Sequence, residues 1–266
     1  MSSTKKDMIK EELIKIKDYS LFVRQIIKDK EKPTIVYLHD SWGCVETWKD
    51  FPEQLSDKYN CNALIYDRRG YGKSDKFKSL ERDKTYLHQS AEELISVVDY
   101  FGLEKVILYG HSDGASISTI FAQNYPKRVS AILLEGNHSF VEEKTKKGVK
   151  DCREKAKNNS LISSLKKYHS EKAEPLFRIW HEIWLNSKFT DWNIVEELNK
   201  IECPVLAFQG VNDEFGTVKQ LEVIEQNVTS FKMTKEIENA GHTPRKENRQ
   251  KTLEVIEQFM KKINIV

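Results

Sequence analysis

Short, continuously apolar runs alternate along this chain with stretches in which apolar residues return every three or four positions. Thr34-Ile35-Val36-Tyr37-Leu38, Asn62-Ala63-Leu64-Ile65-Tyr66, Val106-Ile107-Leu108-Tyr109, Ser130-Ala131-Ile132-Leu133-Leu134 and Pro204-Val205-Leu206-Ala207-Phe208 read as buried strands. Leu13 to Lys17 and Leu21 to Ile27 read as opening strands. Helical spacing predicts a first helix over Trp48 to Leu55, and another carrying Ala115, Ile117, Ile120 and Phe121. A helix with Leu94, Val97, Val98 and Phe101 is expected to start at a Ser90–Glu93 capping box and to end at Gly102. Leu253, Ile256, Phe259 and Met260 give a final helix its apolar face. Strands alternating with helices predict an α/β fold, its mostly parallel sheet covered on both sides.

The alternation stops over residues 137–200, which are charged and helical in pattern with no convincing buried strand. This segment is expected to be a helical cap inserted into a core formed by residues 1–136 and 201–266. Phe177, Trp180, Trp184 and Trp192 concentrate its aromatics, and the i, i+4 spacing of Trp180 and Trp184 puts them on one helix face. They either pack the cap onto the core or line an apolar pocket. His138, at the entrance to the segment, is a candidate for touching substrate.

Chemistry enters at Gly110-His111-Ser112-Asp113-Gly114, directly after a strand and opening a helix. G-x-S-x-G in that context is a sharp turn that lifts the Ser hydroxyl over the sheet, which makes Ser112 a candidate nucleophile. A Ser hydroxyl needs a neighbouring base held by an acid. Asp213 follows a strand in Gln209-Gly210-Val211-Asn212-Asp213-Glu214, and His242 lies in Asn239-Ala240-Gly241-His242-Thr243 before the last helix. Glu135, at a strand end, and Glu214 are weaker alternatives for the acid.

Composition narrows the partners. With 43 basic and 41 acidic residues the formal charge is +2, which leaves no footprint for nucleic acid or an anionic membrane. The Lys-rich stretch from Lys144 to Lys150 is flanked by acids and reads as a solvated helix face. No 18-residue apolar run occurs, and residues 1–7 lead into no apolar stretch, so neither a membrane span nor a signal peptide is expected and the location is taken as cytoplasmic. Cys44, Cys61, Cys152 and Cys203 show no metal-ligand spacing and are expected to be thiols; Cys44 lies beside the His39 loop.

Four motifs resemble the α/β-hydrolase superfamily: Leu38-His39-Asp40-Ser41-Trp42-Gly43, Asp67-Arg68-Arg69-Gly70-Tyr71-Gly72-Lys73-Ser74, the Ser112 turn, and the Asp213 and His242 loops in that order. Asp40 stands where the family usually has Gly. The resemblance implies an eight-stranded sheet, an Asp213–His242–Ser112 triad, and an oxyanion hole made by the backbone N–H groups of Ser41 and Asp113. It further implies cleavage of small carboxylic esters through an acyl-enzyme, on a small-molecule substrate and with no metal or organic cofactor. Lactone, amide or carbon–carbon cleavage by the same triad, or a ligand receptor without catalysis, are the other readings. The Ser112-Asp113-Gly114 triplet is similar to the valacyclovir-hydrolase or biphenyl-hydrolase-like group, in which the corresponding acid is associated with a substrate ammonium. Asp113 therefore either meets such a group, as in aminoacyl esters, or pairs with a Lys or Arg of the cap or with water. The oligomeric state stays open.

Overall fold

The computed structural model describes residues 8–158 and 160–264, so the start at residues 1–7 lies outside the described residues. Eight strands form one sheet: β1 (Met8–Ile16), β2 (Tyr19–Ile27), β3 (Thr34–Leu38), β4 (Asn62–Tyr66), β5 (Val106–His111), β6 (Val129–Glu135), β7 (Val205–Gly210) and β8 (Lys232–Ile237). Their order is β1-β2-β4-β3-β5-β6-β7-β8. Only the β1–β2 and β2–β4 pairs are antiparallel. Because both faces are covered, successive strand residues enter opposite cores. Val36, Leu38 and Leu108 go to one face, and Ile35, Tyr37, Ile107 and Tyr109 to the other.

The helices are α1 (Phe51–Tyr59), α2 (Tyr86–Tyr100), α3 (Asp113–Asn124), α4 (Glu143–Ala156), α5 (Ser160–His169), α6 (Ala173–Trp184), α7 (Lys219–Asn227), α8 (Pro244–Glu247) and α9 (Arg249–Ile263). Helices α4 to α6 and several 3-10 turns fill the chain between β6 and β7, where the sequence lost its alternation. Two expectations are corrected. The helix assigned to Trp48–Leu55 begins at Phe51, where Pro52 supplies the fixed φ of a first turn, and is preceded by a 3-10 turn at Val45–Trp48. Ser90 and Glu93 form no capping box, because α2 starts four residues earlier, Tyr86 and Leu87 extending its buried face. Within that helix the Ser90 hydroxyl donates to the Tyr86 carbonyl (3.0 Å), and the Glu93 carboxylate accepts from the Arg69 amide (3.3 Å).

Strand β3 lies between β4 and β5, so the chain order reverses there and the loops after β3 and β5 diverge around a crevice. Helix α3 leaves β5 almost without clearance. A Cβ on Gly114 would lie 2.0 Å from the Leu38 carbonyl oxygen, and one on Gly110 2.2 Å from that of Gly114. Gly114→Ala is therefore expected to cost about 1–3 kcal/mol or more through overpacking against rigid backbone. Gly102→Ala, with open space but φ +63°, should cost only about 1 kcal/mol of strain. Urea melts of the two variants measure the difference.

Candidate active site

The turn between β5 and α3 holds Ser112 at φ 55° and ψ −119°, a conformation that L-residues adopt only where the surroundings enforce it. The Ser112 amide is fixed by the Glu135 carbonyl (2.9 Å). His242 Nε2 lies 2.9 Å from Ser112 Oγ, and His242 Nδ1 lies 3.0 and 2.9 Å from the two carboxylate oxygens of Asp213. The Asp213 loop is tightened by its own side chain, which accepts from the Phe215 and Gly216 amides. Glu214 turns away from the imidazole and accepts from the His242 backbone amide (3.1 Å). Glu135 is engaged elsewhere, with the Arg245 guanidinium (2.6 Å), the Arg245 amide (2.8 Å) and the Tyr109 hydroxyl (3.2 Å).

Burial by itself would lower the His242 pKa, but the charge and hydrogen bond of Asp213 outweigh it and the net shift is upward. Burial opposes ionisation of Asp213 in turn, yet His242 and the Phe215 amide hold its carboxyl well below the usual carboxylate range. The arrangement leaves a carboxylate facing Nδ1 and Nε2 facing the hydroxyl, so a proton can pass from Ser112 to His242. A cavity of about 340 Å³ opens over these groups, lined by Ser41, Ser112, Asp113, His138, Trp180 and Trp184 among others. Among the described residues, neither the Ser41 nor the Asp113 amide donates to a protein acceptor.

Asp40 needs no left-handed backbone. One oxygen accepts from the Trp42 amide (2.8 Å), tightening the loop, and the other lies 3.2 Å from His111 Nδ1. His111 Nε2 is 2.9 Å from the His242 carbonyl oxygen, so the residue before the nucleophile bridges the Asp40 loop to the His242 loop. Cys44 is buried, and that burial, with Asp67 nearby, pushes its thiol up to about 12, which makes it inert. All four cysteines are free thiols.

Asp113 does not hold an uncommitted carboxylate over the cavity. Its side chain is 0% exposed, accepts from the Tyr86 hydroxyl (3.2 Å) and lies 3.8 Å from the Arg68 guanidinium. The partner comes from the Asp67 turn rather than from the segment over residues 137–200. Asp67 is satisfied by the Val45 and Lys73 amides (2.6 and 2.7 Å), and Arg68 donates to the His39 and Asp40 carbonyls. Trp180 packs on Trp42 of the loop after β3 (4.4 Å between centroids) and Trp184 on Phe189 within its own segment (5.0 Å), and both line the cavity.

Two buried groups went unnoticed in the sequence. Arg245 lies over the Trp48 ring at 4.3 Å and pairs with Glu135, anchoring the chain just after His242. His169, at the end of α5, accepts from the Gly72 amide (2.9 Å) and donates to the Trp42 carbonyl (2.8 Å). Isolated Arg and His residues carry no local signal of such long-range pairing.

The family model described as alpha/beta hydrolase fold matches residues 33–151. The solved 2-hydroxy-6-oxo-6-phenylhexa-2,4-dienoate hydrolase from Rhodococcus sp. strain RHA1 superimposes with a TM-score of 0.80, covering 96% of this chain and 100% of that one at 14% identity. The chain has the α/β-hydrolase fold. It is similar to a proline iminopeptidase of Saccharolobus solfataricus, 26% identical over 256 residues spanning 80% of this chain and 81% of that protein. A 2-hydroxy-6-oxononadienedioate/2-hydroxy-6-oxononatrienedioate hydrolase of Escherichia coli is 32% identical over 105 residues, 39% of this chain and 35% of that one. No helix among the described residues is long and apolar enough to cross a membrane.

Arg245→Met should lower stability by about 3–5 kcal/mol, since it strands Glu135 as an unpaired buried charge; adding Glu135→Leu should recover much of the loss. Denaturant melts of both variants check this. Any reaction that needs neutral His242 should fade as pH falls through a midpoint above the ordinary histidine value. Asp213→Asn should move that midpoint down in a kcat/KM profile, because the charge that raises it is gone.

Proposed function

We propose that this protein is a serine hydrolase that cleaves small carboxylic esters by acyl transfer. The observation that carries the reading is the continuous relay from Asp213 through His242 to Ser112 Oγ, with spacings of 2.9 Å on both sides of the imidazole. In this reading His242 accepts the Ser112 proton as Oγ attacks the ester carbonyl. Asp213 orients the ring and stabilises the imidazolium. The Ser41 and Asp113 amides take the charge that develops on the carbonyl oxygen. His242 then returns the proton to the departing alcohol, and a water deprotonated by the same ring releases the acid. Nothing in these steps calls for a metal or organic cofactor.

The helices over residues 137–200 would act as a cap, with Trp180 and Trp184 forming the apolar wall that selects a short acyl group. A substrate ammonium is not part of this reading, because the Asp113 side chain is sealed from solvent, with Tyr86 on one oxygen and the Arg68 guanidinium 3.8 Å from the other. Amide cleavage is the second reading, favoured by the similarity to the proline iminopeptidase over four-fifths of both chains.

A panel of p-nitrophenyl acyl esters, aminoacyl esters, lactones and amino-acid amides distinguishes the two. Ser112→Ala and His242→Ala should each reduce turnover by roughly three to six orders of magnitude with folding retained. The double variant should be little worse, since triad members act as a unit. Additive losses, or fluorophosphonate labelling of Ser112→Ala as strong as that of the wild type, would remove Ser112 from its role.

A further inference from the structure

One buried polar side chain beside Ser112 has hydrogen-bonding capacity that no protein group uses. His138 follows β6, is 3% exposed and lines the cavity. Its backbone is held firmly, the Ser116 hydroxyl donating to its carbonyl (2.7 Å) and its amide donating to the Ser116 hydroxyl oxygen (3.3 Å). Its ring lies between Trp184, 5.3 Å away between centroids, and His242, 5.7 Å away. Among the described residues neither ring nitrogen has a hydrogen-bond partner, and Nδ1 is sealed from solvent as well.

Burial, reinforced by neighbouring His242, pulls the His138 pKa down to about 4, against the pull of Asp213, Asp113 and Glu142. At neutral pH the ring therefore has one N–H and one lone pair. A sealed N–H is costlier than a sealed lone pair, so Nδ1 is the bare nitrogen and Nε2 carries the proton.

We propose that His138 contacts the substrate and sets its class, Nε2–H donating to an uncharged acceptor, a hydroxyl, ether or carbonyl oxygen borne close to the reacting carbonyl. This rests on the serine-hydrolase reading and deepens it. A neutral donor offers a carboxylate no counter-charge, and the cavity lining sets Asp40, Asp113, Glu214 and Glu247 against Lys246 alone, which disfavours an anion. Trp184 beside the ring supplies the apolar contact that the rest of a short acyl chain requires.

The test compares p-nitrophenyl butanoate with p-nitrophenyl methoxyacetate, in which an ether oxygen replaces one methylene at equal length. His138→Phe should lower kcat/KM for the methoxyacetate about tenfold more than for the butanoate, and His138→Gln, which keeps a donor, should restore most of that difference. Circular dichroism monitors folding, and if the phenylalanine disturbs it His138→Leu carries the same comparison. Equal factors on both esters in an active enzyme overturn this assignment alone. A wild type that turns over neither ester and takes no fluorophosphonate overturns the serine-hydrolase reading and this assignment with it.

Discussion

The close approach of α3 to the end of β3 is the constraint on which the site depends. Because Gly110 and Gly114 carry no side chain, the helix can begin against the Leu38 carbonyl, and the chain at Ser112 has only a left-handed route from strand to helix. That route lifts Oγ out of the sheet toward His242. It also brings the Asp113 amide beside the same crevice as the Ser41 loop. Strain at one residue is thus held by packing around it, with the cost spread over the two cores that sandwich the sheet.

A second layer of order is polar. Three segments distant in sequence, the Asp40 loop, the Ser112 turn and the His242 loop, are joined by His111, which reaches Asp40 with one nitrogen and the His242 carbonyl with the other. Arg245 and Glu135 fasten the His242 loop to the end of β6, and Arg68 ties the Asp67 turn to the back of Asp113. Asp40 is partly exposed, but His111, Arg245, Glu135, Arg68 and Asp113 are buried, so their contacts are more consequential than surface pairs of the same geometry.

How far the sequence foretold this follows from which forces are local. The five central strands were legible because parallel strands covered on both faces read as unbroken apolar runs. The glycine spacing around Ser112 was legible because a turn is a property of a few residues. The start of α2 was misjudged because Ser90 and Glu93 mimic a cap while the apolar period continues back to Tyr86. Asp113 left two readings open, since what meets a carboxylate depends on residues 45 positions upstream. Arg245 and His169 were invisible for the same reason: their partners lie across the fold, and one chain on its own does not reveal which distant groups meet.

His169 holds the Gly72 amide with one nitrogen and the Trp42 carbonyl with the other. Helix α5 is therefore stitched to the loop that carries Ser41, and Trp180 of α6 rests on Trp42 as well. The helices over the crevice cannot swing aside as a free lid while the loop beneath stays still. Displacing them means breaking the bond from His169 to Trp42 and the Trp180–Trp42 contact, or carrying the loop along, so opening the crevice is coupled to the loop that bears the Ser41 amide.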